Sequence, residues 1–138
     1  MTTTTRSEAP KTTARRKTIP RAPESAEPAR RLVEAALRDW NLQEFTEDAT
    51  LVVSELVANA AQHARGDMIS VSIVLLDERT VRLAVVDKSD VPPQLRKAEA
   101  DDVRGRGLPL IDVLSWRWGA DRLPWGKRVW SELRDGER

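Results

Sequence analysis

The chain has no cysteine and a single histidine, His63, in 138 residues. The first absence excludes disulfide frameworks, thiolate zinc sites and thiol nucleophiles. The second argues against a histidine-based metal cluster or a catalytic triad within one chain. No apolar run approaches the roughly 18 to 20 residues that span a bilayer. The first twenty residues carry Thr, Arg, Lys and Pro where an export signal would carry an apolar core. A cytoplasmic protein without a membrane segment is the expectation. A large excess of one charge is also missing: the formal net charge is +1, so the chain as a whole carries no signal for nucleic acid or membrane. Any chemistry must use carboxylates, amides, hydroxyls, basic groups and backbone.

The length suits one domain with tails. Arg6, Lys11, Arg15, Arg16, Lys17 and Arg21 meet only Glu8 near the N-terminus, among Thr, Pro and Ala with almost nothing to bury. Residues 1–22 therefore read as a disordered basic tail, either a solubilising leader or a docking arm for an acidic partner or nucleic acid, whose removal should leave stability unchanged. Residues 23–138 form the domain.

Ser25 is a candidate N-cap, and Leu32, Val33, Ala36, Leu37 and Trp40 recur at helical spacing behind Pro28, so a first amphipathic helix should end near Asn41. Thr46, with Glu47 and Asp48, opens a second helix whose stripe runs through Ala49, Val52, Val53, Leu56, Val57 and Ala60 to Gly66. Ile69, Val71, Ile73 and Leu75 alternate with serines as a strand. Asp77 to Thr80 makes a hairpin turn, and Val81, Leu83 and Val85 lead a second strand into Asp87. A long loop from Lys88 to Arg106 precedes a third helix at Leu108–Leu114 and a last hairpin around Pro124-Trp125-Gly126. Helices between antiparallel hairpins predict an α+β fold, a two-layer sandwich with a mostly antiparallel sheet and helices on one face. Most of Trp116, Trp118, Trp125 and Trp130 are expected to pack in the sheet core, the alternative being a dimer or partner surface.

Three features carry chemistry. Glu55, Asn59, Gln62 and His63 form a polar stripe bordering the apolar face of the second helix. A carboxylate and an amide one turn apart there can converge on one target, and hard oxygen ligands suit magnesium and its waters; solvated helix residues are the alternative. Asp87 shares parity with Val81, Leu83 and Val85, so its carboxylate aims at the apolar side. A carboxylate buried there needs a partner, such as the exocyclic amine of adenine, unless it merely caps the following turn. Arg104-Gly105-Arg106-Gly107-Leu108 stands directly before a helix, where glycines let backbone N–H groups approach an anion and arginines add charge, although a flexible turn explains two glycines as well.

Together these residues resemble the boxes of the gyrase, chaperone, histidine-kinase and mismatch-repair ATPase superfamily, whose fold is the Bergerat ATP-binding fold. Glu55-Leu56-Val57-Ala58-Asn59-Ala60 with His63 is similar to its N box, Asp87-Lys88-Ser89 to its first glycine box, and Gly105-Arg106-Gly107-Leu108 to its second. The spacing and the closing Gly126-Lys127-Arg128-Val129-Trp130-Ser131-Glu132-Leu133 look most like the anti-sigma-factor serine/threonine kinases and their small actinobacterial relatives. The resemblance implies ATP and Mg2+ as cofactors, with Asn59 on the metal, Glu55 orienting or deprotonating the attacking hydroxyl, and Asp87 accepting a hydrogen bond from adenine. It further implies that His63, Ser89, Arg104, Gly105, Arg106, Gly107 and Leu108 belong to the nucleotide site, and that the loop from Lys88 to Arg104 is a lid. Ser89 and Val91 stand where the first box usually has glycine, which restricts close backbone approach.

The leading expectation is thus a regulatory kinase that binds a sigma factor and phosphorylates an anti-sigma-factor antagonist, with a homodimer as a further expectation. A non-catalytic, nucleotide-binding partner switch is the first alternative, and a nucleic-acid binder acting through the basic tail is the second.

Overall fold

The computed structural model of the chain describes residues 13–63, 66–88 and 108–135. Helix α1 (Ala26–Asp39) buries Ala29, Val33, Ala36 and Leu37, the i, i+4, i+7, i+8 stripe of an amphipathic helix. It ends at Asn41, whose left-handed φ of 61° lets the N–H of Asn41 reach Arg38 O and that of Leu42 reach Leu37 O at 2.8 Å. This paired closure satisfies carbonyls that a helix end otherwise leaves open. Helix α2 (Thr46–His63) follows, with Glu47 and Asp48 at its positive end and Ala49, Val52, Val53, Leu56, Val57 and Ala60 buried.

Strands β1 (Ala14–Pro20), β2 (Met68–Asp77), β3 (Thr80–Lys88), β4 (Arg117–Leu123) and β5 (Gly126–Arg134) pair antiparallel in the order β1-β2-β3-β5-β4. Because side chains alternate across a strand, the register sorts the helix-facing residues of β2, β3 and β5 into rows. Leu75, Val81 and Leu133 make one; Ile73, Leu83 and Ser131 the next; Val71, Val85 and Val129 the third. The fourth row changes character, from Ile69 to Asp87 to Lys127. Helix α2 packs over β3 and β5, α1 lies against α2 and touches β1 and β2, and the short α3 (Leu108–Leu114), whose Ile111 is buried, touches α2 and β4. This is the expected α+β sandwich, with its helices on one side of the sheet. No helix among the described residues is long and apolar enough to cross a membrane.

Three expectations are corrected. Residues 14–20 are not disordered tail: they pair with β2 from Ala14↔Val74 to Pro20↔Met68, and Ile19 is buried. An edge strand needs few apolar side chains because backbone hydrogen bonds hold it, and charge on its exposed positions keeps it from pairing further. Arg15 contributes by pairing with Asp39 at 3.0 Å and lying over the Trp40 ring. Residues 1–12 of the proposed tail lie outside the described residues. Ser25 occupies the residue before α1, but its hydroxyl donates to Pro20 O at 2.7 Å and caps nothing in the helix.

The tryptophans are the third correction. Of Trp116, Trp118, Trp125 and Trp130, Trp118 packs against the core, its indole N–H donating to Asp112 at 2.8 Å, and Trp125 is exposed. Trp130 lies on the helix-free face over Gly119, where an added Cβ would sit 2.8 Å from the ring. Arg82 and Arg117 both approach the Trp130 ring, while Trp116 is approached by Arg117 and Arg134. Long side chains, rather than a second layer of helices, cover this part of the sheet.

Candidate functional site

Where the fourth row of the sheet turns from apolar to charged, α2 also changes: its sheet-facing stripe shrinks from Leu56 to Ala60, with Asn59 beside it. The result is a recess of about 230 Å³ of empty space, solvent at its mouth included, lined by Leu56, Asn59 and Ala60 from α2, Val85 and Asp87 from β3, and Lys127 and Val129 from β5. Its walls are apolar, and its three polar groups are all nearly inaccessible: Asn59 is 5% exposed, Asp87 3% and Lys127 4%. A few polar groups in an otherwise apolar concavity is the make-up of a small-molecule site.

The amide nitrogen of Asn59 is buried without a hydrogen-bond partner. Leaving such a donor unsatisfied costs about 1–3 kcal/mol, so the position favours a ligand that supplies an acceptor. Asp87 sits on the helix side of β3 as its parity predicts, and the register sets it between Ile69 and Lys127. Glu55 is half-buried one turn before Asn59 on α2. Among the described residues no group of three or more His, Cys, Asp or Glu could hold a metal ion. A divalent cation here would take the Asn59 amide oxygen and complete its shell from water and the ligand's own oxygens.

The structure thus brings together Asn59 and Asp87, with Glu55 adjacent on the same helix. His63 is the last residue of α2 and Leu108 the first of α3, but their side chains lie outside what is described. Ser89, Arg104, Gly105, Arg106 and Gly107, and the proposed lid, also lie outside the described residues. Lys127 is the lining residue that sequence reasoning passed over. Its parity with Val129, Ser131 and Leu133 points it inward by the same rule that singled out Asp87.

The supposed tail supports the site. The Arg21 guanidinium donates to Ala61 O at 2.7 Å and to Gly66 O at 2.6 Å, and its backbone N–H donates to Asp67 O at 2.8 Å. A cation at the C-terminal end of α2 complements the helix dipole and ties down the helix that carries Glu55 and Asn59.

A family model for the histidine kinase-like ATPase domain matches residues 19–131, from the buried Ile19 of β1 to Ser131 of β5. No curated protein matches the chain.

Proposed function

The chain belongs to the histidine kinase-like ATPase domain family, and from that premise we propose that it binds ATP with magnesium and transfers the γ-phosphate to a serine or threonine of a partner protein. The observation that carries the nucleotide reading is the buried, unpartnered amide nitrogen of Asn59, in one recess with the buried Asp87. Asp87 is acceptor-only when ionised and suits the adenine amine. Asn59 offers an oxygen to magnesium and N–H donors to a phosphate oxygen. Magnesium, when bound, neutralises charge on the phosphates.

In the transfer step the partner's hydroxyl oxygen bonds to the γ-phosphorus, the bond from that phosphorus to the β–γ bridging oxygen breaks, and ADP leaves with the electron pair. The hydroxyl proton passes to the Glu55 carboxylate. The proposed partners are a sigma factor and an anti-sigma-factor antagonist, the latter carrying the phosphorylated hydroxyl. A second reading, a nucleotide-dependent switch without turnover, is favoured by Ser89 and Val91 at the usual glycine positions.

Both readings are tested with two variants. ATP with magnesium should raise the melting temperature of the wild type by mass action, and Asp87→Ala should abolish most of that rise. Glu55→Gln should keep binding while transfer to a co-purifying partner falls about 10²- to 10⁴-fold. An unchanged rise in Asp87→Ala removes the adenine assignment. Tight binding with no transfer by the wild type selects the switch.

A further inference from the structure

Lys127 gives the recess a second polar group at the same depth as Asp87. The two residues are direct cross-strand partners on β5 and β3, both are buried, and both line the recess. Side chains in that relation start about 5 Å apart at Cβ, so a carboxylate and an ammonium enter the same recess from adjoining strands. The carboxylate only accepts hydrogen bonds and the ammonium only donates them.

A lone carboxylate at the end of a base pocket discriminates. It accepts from the adenine amine, but faces the guanine carbonyl oxygen acceptor to acceptor. With an ammonium beside it, the pair can answer either purine. Adenine offers an amine donor to Asp87 and its ring N1 acceptor to Lys127. Guanine, displaced sideways, offers its carbonyl oxygen to Lys127 and its ring N–H and amine to Asp87. We propose that Lys127 makes this recess a purine site rather than an adenine site, so that GTP is bound comparably to ATP. The inference rests on the nucleotide reading of the recess and adds its base selectivity.

Losing Lys127 should hurt guanine more than adenine, because the guanine carbonyl then meets only a carboxylate. A hydrogen bond to a charged group is commonly worth a factor of about 10 to 100 in affinity. The experiment is calorimetric titration of the full chain with ATP and with GTP, each with magnesium, for wild type, Lys127→Met and Lys127→Arg. The expected result is a wild-type GTP to ATP dissociation-constant ratio within about tenfold, rising about tenfold or more in Lys127→Met and staying near the wild-type ratio in Lys127→Arg. A wild-type preference for ATP beyond tenfold overturns the proposal, and needs no variant to fold. A ratio unchanged in a folded Lys127→Met also overturns it, since Lys127 then only neutralises Asp87. Failure of the wild type to bind either nucleotide overturns the nucleotide reading itself, an outcome distinct from the other two.

Discussion

Replacing Glu132 by Gln should destabilise the domain by about 2–3 kcal/mol, although the residue lies on the helix-free face, away from the recess. Its side chain is wholly inaccessible, and it accepts three charge-assisted hydrogen bonds: from Arg82 Nε at 2.9 Å and Nη2 at 2.6 Å, and from Arg117 Nε at 2.6 Å. Removing one partner of a buried ion pair typically costs about 3–5 kcal/mol. The cost here falls below that range because the Arg82 and Arg117 side chains are 29% and 58% exposed and can turn to water once the carboxylate is gone. For a domain of this size the loss corresponds to a fall of about 10 °C in melting temperature. Burial alone would raise the Glu132 pKa, but the hydrogen bonds and charges of Arg117 and Arg82 outweigh it and hold the group below its ordinary 4.5. A carboxylate with a lowered folded pKa contributes its stability in full above the unfolded value, and loses it as pH falls through the folded one. The gap between wild type and Glu132→Gln in urea unfolding should therefore be constant near neutrality and shrink below about pH 4.5. A gap that stays constant into that acid range, or a variant as stable as wild type at pH 7, would refute the assignment of stability to this ion network.

Asn59→Ala should weaken ATP binding chiefly when magnesium is present, measured by titration with and without the metal; equal loss in both conditions would mean that Asn59 only supports the helix. Deleting residues 1–20 should destabilise the domain by about 2–4 kcal/mol in denaturant unfolding, because it removes the buried Ile19 and bares the β2 edge. Unchanged stability would show that β1 contributes nothing to the folded state.

What could be read in advance follows which forces hold each element. Both long helices are held by side-chain burial, so the spacing of Val33, Ala36 and Leu37, and of Val52, Leu56 and Ala60, reported them directly. The β2–β3 hairpin was equally plain, since Ile69, Val71 and Ile73 alternate with the half-buried Ser70 and Ser72, and Val81, Leu83 and Val85 recur at the same spacing. Strand β1 escaped notice because its hold on the sheet is mostly backbone, and its one buried apolar side chain, Ile19, follows the basic run Arg15-Arg16-Lys17. Trp116 and Trp130 misled for a related reason: aromatic residues suggested core, whereas these stack with arginines on the opposite face, and nothing in composition says which side of a strand is covered. At the site, parity was enough to aim Asp87 inward. Its pairing with Lys127 needed the β3–β5 register, which joins residues forty positions apart across a helix and a hairpin turn.

That register also explains why a recess exists at this place. Along β3 the helix-facing residues Val81, Leu83 and Val85 all meet apolar neighbours on β2, and α2 covers the sheet with valines and leucine up to Leu56. One row further, two changes coincide. The sheet presents Asp87 and Lys127 in place of aliphatic side chains, and α2 presents Ala60 and Asn59 in place of a larger apolar residue. Either change alone would be costly: a small residue over an apolar row leaves a cavity, and a charged row under a leucine leaves polar groups without partners. Together they leave a polar-ended recess at the edge of the core. The site is thus the unfinished end of the hydrophobic core, and it lies where α2 ends because the C-terminal turn of that helix is fixed from below by Arg21 rather than by further burial.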